Sequence, residues 1–218
     1  LVGSEMCIRD RNYQDDISLH YYLLASKDGI TIGKRYFKHE NNKEDYPFSP
    51  SGHNLYDNNS KLYYCRDFDN IVYQIHEDSV VPRFRINLPN PLPASMIEER
   101  PNEMSLLRSG YSLGITDIYE YGGLLFFRFV KDGYIWSCLY NVEESKQVYC
   151  AKRIKFLDSS LIDTIDGIYK DCFYSILTPE YLDYAFSENP LEDYPDLFKT
   201  YDVEGDNPVI AFYRAVVR

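Results

Sequence analysis

Short apolar and aromatic runs separated by turn residues follow one another along most of the chain from Tyr21 onwards. Residues 20–25 and 30–37 flank Lys27-Asp28-Gly29, and an Asp-Gly pair between two such runs is typical of a β-hairpin. Runs of this length bounded by Gly, Asn and Asp predict successive antiparallel strands. The pattern therefore predicts an all-β fold.

Two longer groups of runs follow the first hairpin, and each predicts strands paired in chain order. The first group is 62–66, 71–75 and 80–88, and the second is 116–121, 124–130, 134–140 and 147–156. A final strand is expected near 209–213. Helix is expected only in connections, as short segments over 95–100, 179–185 and 191–199.

The two groups match each other, which indicates an internal repeat. Residues 62–66 align with 124–128, residues 70–75 align with 133–138, and a weaker copy lies at 171–176. An aromatic residue recurs at the third position after a turn residue, at Tyr73, Trp136 and Tyr174. Their spacing averages about 50 residues, close to the period of about 40 to 50 residues in propeller blades.

The repeat predicts a partial β-propeller of about three four-stranded antiparallel blades, with a β-sandwich as the rival. Alternation along a strand would place Tyr73 with Ile75, and Trp136 with Cys138, between adjacent blades. We expect one propeller domain over 12–218. Its blade parts are expected at about 13–40, 47–88, 112–156 and 163–218.

Four segments of the chain also resemble a known family. Residues 69–75, 81–86, 173–176 and 206–210 are similar to the uncharacterised six-bladed β-propeller proteins of gut-type Bacteroidota, within the NHL-like group. The resemblance implies an exported protein, periplasmic or anchored to the outer membrane by lipid. It implies no catalytic residue, because no catalytic motif defines the family.

The first eleven residues lack the Tyr-rich alternation of the rest. Residues 6–10 resemble a translated sequencing adapter, so we set 1–11 apart as a non-native segment. A six-bladed ring needs roughly 240 to 300 residues. We therefore expect this chain to be the C-terminal part of a ring, without its first blades or a lipoprotein signal.

Composition agrees with strands and argues against two classes of partner. Aromatic residues make up 16% of the chain, with 22 Tyr, and sheets favour such side chains. With 23 Lys and Arg against 34 Asp and Glu, the formal net charge is -11, which disfavours nucleic acid and anionic membranes. We also expect no transmembrane segment, because no run approaches about 18 apolar residues.

The cysteines beyond the first segment are Cys65, Cys138, Cys150 and Cys172. None forms a CxxC pair or a Cys/His pair at zinc spacing, so we expect no metal site. All four lie in apolar runs, where free cysteine packs as a small hydrophobe. Cys138 and Cys150 nevertheless occupy mirror positions of a hairpin, and a disulfide between them is the alternative.

The sequence carries no motif for nucleophilic, metal-dependent or phosphate chemistry. It has no Gly-x-Ser-x-Gly elbow, no His pair at zincin spacing and no glycine-rich loop that opens a helix. We therefore expect no catalytic residue and no cofactor. Paired carboxylates for glycoside chemistry stay open, because their separation is spatial.

Arg66, Asp67 and Arg128 are the candidate ligand-binding residues. Arg66 and Arg128 align in the repeat, and Asp67 follows Arg66. Rotation about a propeller axis would bring the two guanidiniums towards one face, where they offer forked donors to a carboxylate or a sugar hydroxyl. The alternative is that each arginine pairs with a nearby acid or turn carbonyl.

These observations favour a non-enzymatic binding or interaction module of the bacterial cell envelope. It would contact a protein or a glycan through a propeller face. The alternative is a propeller-fold hydrolase or lyase that acts on a glycan or small ester. A pocket that joins His, Arg and carboxylate would favour the enzyme, and a Tyr-rich surface would favour the binder.

Overall fold

The computed structural model describes most of the chain beyond residue 53. The described residues are 21–26, 32–38, 50, 54–99, 101–152, 154–156, 159–162, 165–188, 200–202, 204–205 and 207–214. The chain divides into two compact units, Leu1–Pro47 and Phe48–Arg218. The helix expected over 191–199 lies outside the described residues.

The first unit contains the predicted hairpin. Strands β1 (Tyr21–Ser26) and β2 (Ile32–Lys38) pair antiparallel, with Leu23 opposite Tyr36. Leu23 is fully buried. The hairpin prediction is therefore confirmed, although its Asp-Gly turn lies outside the described residues.

The second unit begins with a four-stranded antiparallel sheet in chain order. Its strands are β3 (Leu55–Asn58), β4 (Lys61–Cys65), β5 (Ile71–Ile75) and β6 (Val80–Arg85). The last strand ends at Arg85 rather than at residue 88. Strand β3 was not predicted from the sequence, because Asp57 and Asn58 make it look polar. In the structure, however, Asn58 is buried and only Asp57 faces out.

Two short helices, α1 (Ala94–Glu98) and α2 (Glu103–Leu107), connect this sheet to the next. The sequence predicted the first helix and missed the second. Asn102 caps α2, because its side-chain oxygen accepts from the Ser105 backbone N–H at 2.9 Å. The cap and the buried Leu106 hold this single turn against the unit.

A second four-stranded sheet follows, with its strands paired in chain order. Its strands are β7 (Ser112–Tyr121), β8 (Leu124–Lys131), β9 (Tyr134–Asn141) and β10 (Lys146–Ala151). Strand β7 begins at Ser112, earlier than the apolar run predicted, and most of its residues are buried. A strand buried on both faces shows no alternation, so its start was hidden in the sequence.

The run over 147–156 is two strands, which corrects the prediction of one. Strand β10 ends at Ala151, and β11 (Ile154–Phe156) pairs with β12 (Ser159–Ile162) instead of with β9. The chain therefore changes partner between Ala151 and Ile154. Continuous hydrophobicity in a sequence does not record such a change.

The last sheet has three described strands and one helix between them. Its elements are β13 (Gly167–Tyr169), β14 (Cys172–Leu177), α3 (Pro179–Glu188) and β15 (Val209–Tyr213), with β14 in the middle of the sheet. The predictions of a helix from residue 179 and of a terminal strand are confirmed.

The first strands of the three larger sheets of this unit contact one another. Strand β3 contacts β7, and β13 contacts both of them. The rings of Tyr56 on β3 and Tyr119 on β7 pack edge to face at 6.0 Å. One core cluster joins residues of all three sheets with Leu182 and Ala185 of α3. The all-β, partial-propeller fold is thus confirmed. Each fully buried apolar side chain of the core contributes about 1.5–3 kcal/mol to the free energy of folding.

Candidate functional site

A cavity of about 250 Å³ opens where β3, β7 and β13 meet. It is polar and aromatic, unlike the core below it. The lining residues are Leu55, Tyr56, Asp57, Asn59, Tyr119, Asp166, Gly167, Ile168 and Tyr174. We call this cavity the inner pocket.

Three tyrosines shape the inner pocket. The Tyr56 hydroxyl donates to the Thr116 carbonyl, and the Tyr119 hydroxyl donates to the Asp166 carbonyl at 3.1 Å. Burial, followed by the charge of Asp117, raises the pKa of both hydroxyls well above the ordinary value. Both groups therefore stay neutral, with lone pairs that can accept a further hydrogen bond.

Tyr174 lies over β13 because residue 167 is glycine. A Cβ at Gly167 would lie 2.6 Å from the Tyr174 ring, which is closer than side chains pack. The two residues are direct partners in the β13–β14 ladder. Gly167 thus gives the tyrosine ring room to form one wall of the inner pocket.

Two carboxylates and an amide complete the lining. Asp57 projects from β3 into solvent, and among the described residues no ion pair involves it. Asp166 accepts from the Ile176 backbone N–H at 2.7 Å, which fixes its position. The Asn59 amide donates to the Lys170 carbonyl at 3.0 Å. The pocket thus offers carboxylate acceptors beside aromatic ring faces, and its lining includes neither His nor Arg.

The inner pocket was not found from the sequence. Its residues come from three parts of the chain, 55–59, 119 and 166–174, which are more than 40 positions apart, and no spacing rule links them. The one local signal was the alternation of Leu55, Tyr56 and Asp57 before the Asn59-Ser60 turn. That signal indicates a strand but does not indicate a site.

Arg66 lies just after β4 and is paired within its own turn. Its Nε and a terminal nitrogen donate to the Asp69 carboxylate at 3.0 and 2.6 Å. The other Asp69 oxygen accepts from the backbone N–H groups of Asn70 and Ile71. Asp67 lies in the same turn but is not the partner in this ion pair. Arg66 therefore stabilises the β4–β5 connection.

Arg128 lies within β8, not at a strand end, which corrects the expected match with Arg66. The β8–β9 hairpin has a tight turn that lengthens both strands, whereas residues 66–70 form a longer connection. The Arg128 Nε donates at 2.7 Å to Asp117, its direct neighbour on β7. Both side chains are largely buried, with exposed fractions of 17% and 8%.

The turn that carries the Arg66 pair lies against β7, which carries Asp117, the partner of Arg128. Neither pair lines the inner pocket. The Ile115 backbone N–H donates to the Asp69 carbonyl at 3.1 Å, so the turn of Arg66 lies against β7. Burial, with the charges of Asp117 and Asp69, raises the pKa of the Cys65 thiol between them. A role for Arg66, Asp67 and Arg128 in ligand binding stays a prediction.

Each repeat aromatic stacks on a partner within its own sheet. Tyr73 packs on Tyr64 and Trp136 stacks on Phe129, in each case on the direct partner in the adjacent strand. Tyr174 packs on Phe212 across β14 and β15. Because they stack on a cross-strand neighbour, these rings stabilise the strand pairings that carry them.

The structure joins Cys138 and Cys150 as a disulfide between β9 and β10. Their positions face each other in the strand ladder, as the hairpin symmetry allowed. Cys65 and Cys172 are free thiols, one buried and one partly exposed. Across the described ranges, no three His, Cys, Asp or Glu side chains come together as a metal site.

A second polar cluster joins the two four-stranded sheets at Glu120. Its carboxylate accepts from Lys61 at 3.0 Å, from Arg83 at 3.1 Å and from the Tyr63 hydroxyl. The Asn58 oxygen also accepts from the Glu120 backbone N–H at 2.6 Å. These contacts bridge β3, β4, β6 and β7, and so fix the position of β3 at the inner pocket.

Among the described residues, no helix has the length and hydrophobicity needed to span a bilayer.

Comparison with known proteins identifies the family. A sequence profile of the family described as 6-bladed beta-propeller matches residues 9–160. No curated protein matches the chain. The chain is similar to the crystal structure of a Bacteroides fragilis protein described as a candidate exported protein, with a TM-score of 0.66 and 15% identity. That match covers 92% of this chain and 59% of that one, so this chain spans about three fifths of its neighbour. Since the profile covers more than half of the chain, the chain belongs to the 6-bladed beta-propeller family.

Proposed function

We propose that this chain is part of a non-enzymatic binding protein of the bacterial cell envelope, and that its ligand occupies the inner pocket. The ligand is a glycan or a protein segment, and the pocket favours the glycan. The observation that carries this proposal is the convergence of Tyr119, Tyr174, Asp57 and Asp166 around one opening.

The chemistry of the lining suits a sugar residue. Carboxylates accept hydrogen bonds from hydroxyl groups, and tyrosine rings offer flat apolar faces against which a sugar ring can pack. A volume of about 250 Å³ suits one such ring rather than a folded surface. A glycan end therefore fits the pocket better than a flat protein interface does.

Placement in the envelope rests on resemblance. The structural neighbour is described as a candidate exported protein, and the sequence resembles exported and often lipid-anchored propellers of Bacteroidota. We propose the same location, periplasmic or at the outer membrane, for the protein that contains this chain.

A hydrolase or lyase acting on a glycan is the second candidate, and one observation favours it. Asp57 and Asp166 both line the inner pocket, and glycoside hydrolysis needs two carboxylates. Asp166 is held by a backbone N–H, while Asp57 is exposed. We rank binding first because the lining adds tyrosines rather than a histidine or arginine to these acids.

A glycan array probed with the purified chain tests the proposal. We expect binding to a restricted set of glycans, and loss of that binding in Asp57→Asn. Glu77→Gln is the matched control, because Glu77 is an exposed acid in the β5–β6 turn away from the pocket. Equal binding by both variants would show that the inner pocket is not the binding site. Release of a reducing end from a bound glycan would favour the enzyme.

A further inference from the structure

The inner pocket is acidic, and its lining contains no basic side chain. Asp57 and Asp166 both line it, while none of the lining residues is Lys, Arg or His. Asp57 is exposed on β3 and takes part in no ion pair within the described part of the chain. No neighbouring described cation therefore balances the charge of Asp57 at this opening.

The basic side chains that lie closest to the first strands are held by other carboxylates. Lys61 and Arg83 both donate to Glu120, at 3.0 and 3.1 Å. Arg128 donates to Asp117 at 2.7 Å. These cations are engaged outside the pocket lining, so a ligand is the available source of positive charge for Asp57.

Tyr174 adds an aromatic ring to this acidic opening. At two other tyrosines of this unit an ammonium group already lies over the ring, with Lys152 at 3.5 Å from the Tyr134 centroid and Lys170 at 5.2 Å from that of Tyr169. Tyr174 has no described Lys or Arg over its ring, although it is partly exposed and lines the pocket. A ring face beside a carboxylate attracts a cation through its π-electrons as well as through the nearby charge.

The neutral polar groups of the inner pocket are placed to accept hydrogen bonds. The Tyr119 hydroxyl gives its proton to the Asp166 carbonyl at 3.1 Å, so its lone pairs are acceptors. The Asn59 amide nitrogen donates to the Lys170 carbonyl, which leaves the amide oxygen as an acceptor. An ammonium group has three donors and no acceptor, and it therefore matches this lining better than a neutral hydroxyl or acetamide group does.

We propose that the glycan bound in the inner pocket carries a free, protonated amine, so that the bound residue is an amino sugar without an N-acetyl group. This inference rests on the proposed function, which places a glycan in this pocket. The ammonium group lies beside Asp57 and against the ring of Tyr174, and the sugar ring occupies the rest of the volume of about 250 Å³. Acetylation removes the charge and two of the three donors, so it weakens binding.

Calorimetric titration of the purified chain with trisaccharides of equal length tests the proposal. The probes are the glucosamine trimer, its fully N-acetylated form and cellotriose, in a buffer that keeps the amines protonated. We expect the glucosamine trimer to bind at least about tenfold more tightly than either neutral trimer, because only the amine makes charge-assisted and cation–π contacts.

Two substitutions locate the amine within the pocket. Asp57→Asn and Tyr174→Leu should each lower the affinity for the glucosamine trimer by about tenfold. Glu77→Gln removes the same charge at an exposed site, and Tyr169→Leu removes an exposed tyrosine of the same sheet outside the lining, so both controls should bind normally. Asp57→Asn alters an exposed side chain, so it tests the site even where the Tyr174 variant fails to fold.

The possible results separate this inference from the proposed function. Equal, Asp57-dependent binding of all three trimers would overturn the amine and leave a glycan in the pocket. Equal losses in Asp57→Asn and Glu77→Gln would also overturn it, since they would show general attraction of cations to a chain of net charge -11.

A peptide of matched charge, the N-acetylated trilysine amide, completes the experiment. Binding of this peptide as tight as that of the glucosamine trimer, with the same dependence on Asp57, would make a protein segment the ligand and overturn the amino sugar. Failure of every trimer and every arrayed glycan to bind would overturn the proposed function and this inference together.

Discussion

At the scale of residues, the ion pair of Arg128 with Asp117 is the most deeply buried ion pair in the described part of the chain. Removing one partner of such a pair leaves an uncompensated buried charge, which costs about 3–5 kcal/mol. We therefore expect Arg128→Met to lower the free energy of unfolding by about that amount. Urea denaturation of the purified variant measures it.

Arg83→Met is the control for this substitution. Arg83 also pairs with a carboxylate, at 3.1 Å, but its side chain is 41% exposed. Exposed pairs contribute about 0–1 kcal/mol. Equal losses in the two variants would mean that burial does not set the strength of the Arg128 pair.

Glu120 makes stability depend on pH. Burial alone would raise the pKa of its carboxyl, but hydrogen bonds from Tyr63, Lys61 and Arg83 outweigh burial and hold the pKa below its ordinary value. A lowered pKa in the folded state gives stability that is complete above the unfolded pKa of about 4.3 and is lost as pH falls through the folded pKa.

Glu120→Gln should therefore flatten the acid side of the stability profile. Urea midpoints from neutral pH down to about pH 3 measure this dependence, with Glu77→Gln as the control at an exposed site. An acid limb unchanged in Glu120→Gln would show that other carboxyl groups cause the loss.

The candidate side chains fall into two groups. Some have surroundings that follow from the neighbouring sequence, and others make contacts that depend on how distant strands pair. Arg66 and Tyr73 both belong to the β4–β5 hairpin, whose two strands the local sequence pattern predicted. Asp117 pairs with Arg128 because of the β7–β8 register, which shifts between Ile115 and Asp117. No sequence motif records such a shift. The inner pocket depends on three separate parts of the chain, 55–59, 119 and 166–174, and no sequence motif links them.

At the scale of elements, β7 and the turn after β4 approach closely at Gly114. Its φ is +94°, and an added Cβ would lie 2.8 Å from the Phe68 backbone. Backbone atoms cannot move aside as a flexible side chain does. Gly114→Ala should therefore cost more than the roughly 1–2 kcal/mol of a left-handed conformation alone.

Gly122→Ala separates the cost of a left-handed backbone conformation from the cost of a clash with neighbouring atoms. Gly122 also has a positive φ, at +58°, but an added Cβ would meet no atom within 4 Å. Thermal unfolding should show a larger loss for Gly114→Ala than for Gly122→Ala. The opposite order would mean that β7 does not lie against the 66–69 turn.

The disulfide joins the last two strands of the second sheet. Cys138 and Cys150 are 12 residues apart, and a closed loop of about this size contributes about 2–3 kcal/mol. Their peptides should react with iodoacetamide only after reduction, and reduction should lower the thermal midpoint. Cys172→Ala, which removes a free thiol, should leave that midpoint almost unchanged.

The strands that sequence predicted well are those with one buried face. Residues 71–75 were placed within their observed bounds because turn residues flank the run. Strand β3 and the start of β7 were missed for opposite reasons, since one is short and polar and the other is buried throughout. The division at Ala151 was missed because hydrophobicity reports burial and not pairing partners.

At the scale of the whole molecule, the packing of sheets creates the inner pocket. The first strands of three sheets meet, their tyrosines pack together, and the inner pocket opens between them. Polar bridges at Asn58 and Glu120 hold β3 in place beside β7. Binding at this position would therefore depend on the packing of sheets as well as on the lining side chains.

Mapping the protection that a bound glycan gives tests this account most directly. The probe is the glycan with the strongest array signal, added to the 218-residue chain during hydroxyl-radical footprinting. We expect protection of Leu55, Tyr174 and Ile168 at the inner pocket, and none at Tyr134 or Ile135 on β9. Protection centred on β9, or at no residue of the inner pocket, would contradict the account.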